Sequence, residues 1–502
     1  MKIFNNFSYL KKAFIVILFF TAVRVILSYF LELGNDESYY WTYAYHLQWN
    51  YFDHPPLVAL WIRFFTANLL LQDHVFFIRL GSIISCAASS YFIFKTICTI
   101  STERAALLGI FLYNISFYGS ITAGLIITPD VPQMVFWTLS VYMLSKISLD
   151  TNSWKYWLLF GASAGLCIMS KVHGIFLWGG VFLYALFYRR QLFTRPQIYI
   201  AAFITLFIIS PIIIWNIQND FITYRFHRER VTIDKNTGLH WIGFLKEIIG
   251  ELIVNNPFNI GLIFFFLWSK KIKNNIELYR VLKLIAFPLL AVIFLISIFR
   301  QSLPHWSGPA YITLLPIAAI GLAETAQITV IKIIRWAFLY TAAYYLLLIA
   351  AVNFYSGTFG KKTEPYLGKA DISLDAYGWK EAGEKFGVIY NKLAAGSEHP
   401  LVCNDWWGAH EEYYFARPLH IQMIGLGSVN ALHNYAWKNK YTIPLAKPDT
   451  AFCIVHSDEY YDAKKAYSAY YPKIDSVTTI KIFRNNLPAH NFYVYRLSGR
   501  LQ

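Results

Sequence analysis

Four polar clusters in this chain carry the residue types that proton transfer and anion binding require. The first runs Asn35-Asp-Glu-Ser-Tyr-Tyr-Trp41, then Tyr45-His46, then Tyr51-Phe-Asp-His-Pro-Pro-Leu57. The second is Thr128-Pro-Asp130, and the third spans Asn216 to Asp234 with Tyr224-Arg-Phe-His-Arg-Glu-Arg230. The fourth is Leu303-Pro-His-Trp-Ser-Gly-Pro309, and Lys171 and His173 occupy a short turn of their own. The carboxylates Asp36, Asp53 and Asp130, set beside Lys171, Arg225, His227, Arg228, Arg230 and His305, suit a site that deprotonates an acceptor and stabilises a phosphate leaving group. Pro55-Pro56 holds its segment extended, which fixes Asp53 and His54 on a turn ahead of the amphipathic stretch Leu57 to Leu71. Arg63 interrupts the apolar face of that stretch, which reads as a segment lying in a membrane interface. Pro129 sets a helix start at Asp130, so a plain N-terminal cap is the alternative role for that acid.

The elements that must position these residues are membrane spans. Charged residues are 15% of the 502 and hydrophobic residues 56%, whereas a soluble protein has about 25% charge. The apolar residues fall in blocks of about 17 to 25, the length that crosses a roughly 30 Å hydrocarbon core. Blocks at 13–31, 75–99, 105–125, 131–148, 156–170, 174–188, 198–216, 243–268, 281–299, 308–324 and 333–353 predict about eleven spans. Lys2, Lys11 and Lys12 precede the first, which places the N-terminus in the cytoplasm. Alternation then puts Lys95 with Arg104, Lys146 with Lys155, Arg189 with Arg190 and Arg195, Lys270 to Lys273, and Lys332 with Arg335 on that same side. The polar clusters fall on the other face, together with the residues 32–74 that follow the first span.

The expected organisation is therefore a transmembrane domain over 1–353 and an extracytoplasmic α/β domain over 354–502. Leu401 to Cys403, Ala451 to Val455 and Phe492 to Tyr495 read as strands, and Trp379 to Leu393 and Gly408 to Tyr414 as helices. The tail holds 17 basic and 14 acidic residues, so only +3 of the net +15 belongs to it. Flanking Lys and Arg account for most of the remainder, and nucleic acid is not an expected partner. Arg225 to Arg230 break the positive-inside trend, and a cationic loop on that side calls for an anionic lipid. Cys86, Cys98 and Cys167 read as packing residues. Cys403 and Cys453 share the external domain, where a disulfide is permitted, but their strand-like runs also suit buried thiols. Arg24, inside the first block, has no partner that the sequence identifies.

The Asp-Glu pair after the first span, the aromatic-Phe-acid-basic-Pro-Pro-Leu segment, the Arg79-Leu80 pair opening the second span and the Thr-Pro-Asp turn resemble the GT-C glycosyltransferases. Within them the pattern is similar to the bacterial branch of the protein O-mannosyltransferase superfamily, which includes the aminoarabinose transferase acting on lipid A. The resemblance covers about 350 residues and implies a GT-C-like polytopic helical fold of 11 to 13 spans. It also implies a polyprenyl-phosphate sugar donor, a lipid, glycan or protein acceptor at the outer face of the bacterial inner membrane, and inversion at the anomeric carbon.

Carried over by residue, the resemblance makes Asp36 the acceptor-activating base with Glu37 beside it, while Asp130 is the alternative base or orients sugar or acceptor. Donor contacts fall to His54, Arg79, Lys171, His173, Arg225, Arg228, Arg230 and His305. Asp53 and His227 become ligands for a divalent metal ion. His54 departs from the family pattern, which has lysine there, and a histidine can be neutral at pH 7. The expected activity is thus membrane-embedded inverting glycosyl transfer. A transporter or flippase of polyprenyl-linked glycans is the alternative, disfavoured because the ionisable residues gather at one face and no internal repeat is visible. An O-antigen ligase or polymerase would place its chemistry in a loop between late spans.

Overall fold

The computed structural model describes residues 7–232, 238–268, 276–394, 397–442 and 449–500. Lys2, Asp234 and Lys270 to Lys273 lie outside the described residues. In chain order the longer helices are α1 (Tyr9–Ser28), α2 (Asn35–Tyr45), α3 (Leu57–Phe65), α4 (Val75–Ile100), α5 (Glu103–Ile115), α6 (Asp130–Ile147), α7 (Trp154–Ser170) and α8 (Ile175–Tyr188). They continue with α9 (Pro196–Gln218), α10 (Ile222–Val231), α11 (Trp241–Asn255), α12 (Pro257–Leu267), α13 (Ile276–Phe299), α14 (Gly308–Ala323), α15 (Gln327–Ile349) and α16 (Trp379–Ala394). The chain forms two compact units, one of Met1–Ser28 with Gln48–Ala343 and one of Tyr29–Leu47 with Tyr344–Gln502.

The first unit is a bundle of apolar helices. Every expected apolar block is helical, but the blocks differ in length and charge. α4, α9, α13, Pro304–Ala323 and Gln327–Phe354 are long and apolar enough to cross a membrane, and α11 with α12 makes a sixth if the bent pair is one span. α1 carries Lys11, Lys12 and Arg24, and α5, α7 and α8 are short. The block at 243–268 is broken rather than continuous: Asn256 takes φ +68° and the axes turn by 96° before Pro257 opens α12. A proline at N1 needs no backbone donor, which suits a restart there. The Asn256 side chain secures the bend, donating to Ile115 O at 3.1 Å and accepting from Phe258 N at 3.0 Å.

The block at 105–125 is also interrupted. α5 stops at Ile115 and a wide turn, Tyr118–Thr122, follows. Arg24 donates to the Ser120 carbonyl at 3.0 Å and to Asn114 Oδ1 at 2.9 Å. A buried guanidinium satisfies backbone groups that a broken helix leaves open, which gives Arg24 a structural role.

In the second unit a five-stranded sheet has the order β2-β1-β3-β5-β4, with β1 (Leu401–Cys403), β2 (Met423–Gly425), β3 (Thr450–His456), β4 (Lys473–Arg484) and β5 (Leu487–Ser498). β1 pairs in parallel with β2 and β3, while β5 runs antiparallel to both β3 and β4. Strands were expected at β1, β3 and β5. β4, whose edge position leaves most of its residues partly exposed, and the three-residue β2 were not. Buried Arg484 donates to Asp371 at 3.0 Å and to the Gly357 carbonyl at 2.8 Å. Cys403 and Cys453 are both free and buried, so the disulfide allowed by the sequence is not formed. Cys86 and Cys167 are buried packing residues, and Cys98 is half-buried.

Candidate active site

In the first unit, Asp130 opens α6 but its side chain caps no backbone group. Its two oxygens accept from Tyr118 Oη at 2.9 Å and Lys171 Nζ at 2.8 Å. Asp130 is 2% exposed and Lys171 4%, so this is a desolvated, charge-assisted pair rather than a surface ion pair. The plain N-terminal cap is thereby replaced by a bond to the α7 terminus, since Lys171 is the C-cap of α7 and His173 sits in the single 3-10 turn that follows. Tyr118 reaches Asp130 from the wide turn that Arg24 supports. Its ring lies flat enough against α14 that a Cβ on Gly308 would meet it at 2.5 Å, so only glycine fits that approach. His305, in the turn before α14, acts electrostatically on Asp130 as well.

The segment 50–56 and α10 form the neighbouring wall. Thr223 donates to the Tyr51 carbonyl at 3.0 Å, Phe52 meets Phe226 with ring centroids 4.5 Å apart, and His227 Nε2 lies 2.8 Å from the Asp53 carbonyl. The His54 and His227 rings are 6.3 Å apart. Burial, against the pull of Asp53, lowers His54 to about 4, and burial lowers His227 as well. Both imidazoles are neutral at pH 7, so His54 offers a phosphate a hydrogen bond without a charge. The permanent positive charge near them comes from Lys171 and, at His227, first from Arg230.

Of the three arginines on α10, Arg225 and Arg228 are exposed, and Arg230 lies over the Phe226 and Trp306 rings at 5.5 and 5.3 Å. Arg79 is buried in α4 and donates to the Ser28 carbonyl at 3.4 Å. Asp53 and His227 are adjacent, yet the Nε2 of His227 is directed to the Asp53 backbone. One carboxylate and one imidazole nitrogen are too few donors to hold a divalent ion without a phosphate in company.

In the second unit, α2 carries Asp36, the one exposed residue of an otherwise buried first turn. A distant residue caps that turn: Asp375 Oδ1 accepts from Asn35 N at 3.0 Å. Glu37, 2% exposed, accepts from Gly34 N at 3.1 Å, so this member of the acidic pair holds the helix end. A Cβ on Gly34 would meet Asp375 Oδ2 at 2.6 Å, the approach that requires glycine there. The arrangement is reciprocal, because Glu32 Oε2 accepts from Trp379 N at 2.8 Å and from Lys380 N at 3.3 Å, at the start of α16. Leu33 completes it, its N–H donating to Tyr414 Oη at 2.6 Å and its carbonyl lying 2.8 Å from His410 Nε2. Burial raises Glu32 and Asp375 to about 7 each.

Sequence reasoning named the acids and bases but missed Tyr118, Glu32, Asp375 and a carboxylate pair on α11. Glu247 Oε2 accepts from Ser302 at 2.7 Å and Glu251 Oε2 from Tyr311 at 2.7 Å. Two acids spaced i, i+4 inside an apolar block were a visible signal. Tyr118 and Asp375 gave none, since tyrosine is common in this chain and Asp375 lies in an ordinary soluble sequence.

Residues 53–215 match a family model described as dolichyl-phosphate-mannose-protein mannosyltransferase. Over 315 residues the chain is 23% identical to lipid A galacturonosyltransferase RgtD of Rhizobium johnstonii, covering 60% of this chain and 63% of that protein. The match thus spans less than two thirds of that relative's length. Among solved structures, apo ArnT from Cupriavidus metallidurans superposes with a TM-score of 0.63 at 12% identity, covering 97% of this chain and 98% of that one. ArnT bound to undecaprenyl phosphate gives 0.63 at 15% identity, covering 95% and 97%. The oligosaccharyltransferase AglB from Archaeoglobus fulgidus, in complex with an inhibitory peptide and a dolichol-phosphate, gives 0.52 at 12% identity, covering 85% and 65%. The ArnT match runs through helices and C-terminal sheet alike, so the fold is shared along nearly the whole chain.

Proposed function

We propose that the protein, whose fold is shared with ArnT along nearly the whole chain, is a membrane-embedded inverting glycosyltransferase of the GT-C type that moves a sugar from a polyprenyl-phosphate donor to a lipid, glycan or protein hydroxyl. The observation that carries this reading is the desolvated Lys171 against Asp130, bordered by neutral His54 and His227 in an apolar helix bundle. An ammonium has three donors and the bond to Asp130 uses one, leaving donors for a phosphate. Asp130 and Tyr118 orient that ammonium, and Arg225 and Arg228 on exposed α10 draw the anionic headgroup in. His54, His173 and His305 supply uncharged or weakly basic contacts. Asp36 takes the proton from the acceptor hydroxyl as its oxygen attacks the anomeric carbon, and the sugar–phosphate C–O bond breaks with its electron pair passing to the lipid phosphate. Asp53 and His227 would hold a divalent ion only together with that phosphate.

The expected setting is the inner membrane with the N-terminus cytoplasmic and the C-terminal domain outside. Neither the fold nor the relatives favour the flippase or transporter alternative. The test is transfer from a polyprenyl-phosphate sugar by purified protein carrying Asp36→Asn. Loss of about 10²-fold or more in kcat, with an unchanged unfolding temperature, is expected for removal of a general base. Full activity in that variant removes Asp36 as the base, and lipid translocation without product would remove the transferase.

A further inference from the structure

The C-terminal unit contains a second polar cluster that glycosyl transfer does not use. β3 ends at His456, which pairs with Phe492 of β5. Continued past the strand end, that register brings position 458 level with 490, so Asp458 in the following turn meets His490. His456 Nδ1 and His490 Nε2 each lie 2.6 Å from Asp458 Oδ1, and the three ligand atoms lie within 4.8 Å of one another. All three residues are buried. Trp379 faces both imidazoles with centroids 5.2 and 5.6 Å away, and Trp407 lies 5.5 Å from His456, which closes the cluster to solvent.

Two further carboxyls, Asp405 and Glu411, lie close to the cluster. Glu411 is 3% exposed and its Oε2 has no hydrogen-bond partner. Asp405 and Glu411 both act on His456, and no lysine or arginine stands among the leading charges on His456, Asp458, Asp405 or Glu411.

We propose that His456, Asp458 and His490 form a buried structural site for one divalent transition-metal ion of the zinc type. Two imidazole nitrogens and one carboxylate oxygen select zinc or cobalt over magnesium or calcium, which require more oxygen donors. The present 2.6 Å spacings are those of hydrogen bonds. Tetrahedral bonds of about 2.0–2.1 Å set ligand atoms roughly 3.3 Å apart, so the ion takes the proton's place as Asp458 backs off by about 0.7 Å. The site ties the end of β3 to β5 and lies under Trp379, the residue whose N–H is capped by Glu32.

The experiment is metal analysis of the full chain in detergent, stripped with chelator and re-equilibrated with zinc or magnesium. About one equivalent of zinc is expected in the wild type and in His227→Ala, and less than about a tenth in His490→Ala and Asp458→Asn. Zinc but not magnesium should restore the unfolding temperature lost on chelation, and cobalt should bind in the wild type and be lost with His490→Ala. No stoichiometric zinc in the wild type overturns the proposal, as does zinc lost with His227→Ala and kept in His490→Ala. Should His490→Ala not fold, an unfolding temperature unmoved by chelation overturns it with wild-type protein alone.

Discussion

Asp130 and Asp36, one in each unit, are held in opposite ways. Asp130 is buried and both its oxygens are bound by side chains, Lys171 and Tyr118, drawn from elements 41 and 12 residues away. Asp36 is exposed, and what is fixed is the backbone beneath it, through Glu37 three residues from Gly34 and through Asp375 some 340 residues on. A carboxylate bound to an ammonium in a dry site holds charge in place and resists taking up a proton. An exposed carboxylate in a clamped helix turn meets solvent and hydroxyl-bearing ligands while its position is set. Under the proposed function, the contrast suits Asp130 to orientation and Asp36 to proton transfer.

The largest way to break this contrast is Lys171→Met. Removing one partner of a buried pair leaves an uncompensated charge and is expected to destabilise the first unit by about 3–5 kcal/mol. The double variant Asp130→Asn/Lys171→Met should recover most of that stability in thermal unfolding, yet remain inactive because the phosphate ammonium is gone. If the double variant transfers sugar at the wild-type rate, Lys171 is a structural residue.

Asp375 is the counterpart in the second unit. Asp375→Ala removes an acceptor from the α2 terminus, a loss of about 0.5–2 kcal/mol typical of a cap. A corresponding fall in kcat of about tenfold is expected, with little change in KM for donor. Asp375→Asn keeps an oxygen in place and should retain most of the activity. Equal losses in Ala and Asn variants would show that the charge of Asp375, rather than its hydrogen bond, sets the position of Asp36.

The apolar helices were legible because an apolar block in this chain has few alternatives to a helix, and Asp36 stood out in the sequence as an acid following the first such block. The breaks were not. Asn256 turns the chain by 96° inside a block whose composition continues unchanged, and the turn at Tyr118 depends on Arg24, remote in sequence. The grouping of Tyr29–Leu47 with the C-terminal unit rests on Glu32, Leu33 and Asp375 exchanging bonds across the chain, a pairing that local pattern cannot register. His456, Asp458 and His490 lie in or beside strands whose hydrophobicity hides them. Glu37 was legible as part of a motif, but its capping bond emerged only with the fold.

Protonation separates the two units further. Glu32 and Asp375 rise from 4.5 and 3.8 to about 7 in the fold. A raised carboxyl pKa favours the folded state when protonated, so this contribution is complete below the unfolded values and fades as pH rises through about 7. The unfolding temperature should therefore decline between about pH 5 and 8, and Glu32→Gln with Asp375→Asn should flatten that decline. A wild-type profile that is already flat would mean that the backbone donors at Trp379 and Asn35 offset burial completely.

The smallest effect is expected at α10. Arg225 and Arg228 are exposed, and an exposed cation near a lipid headgroup contributes about 1 kcal/mol that salt screens. Arg228→Ala should accordingly raise the donor KM by about fivefold at low ionic strength, with the difference shrinking at about 0.5 M salt, where the Debye length falls to a few ångströms. Lys171 sits in a dry pocket, so the residual dependence on donor phosphate should persist at that salt. If Arg228→Ala lowers kcat at every ionic strength, the headgroup contacts α10 in the transition state, and the division between a screened entry and a desolvated site around Lys171 fails.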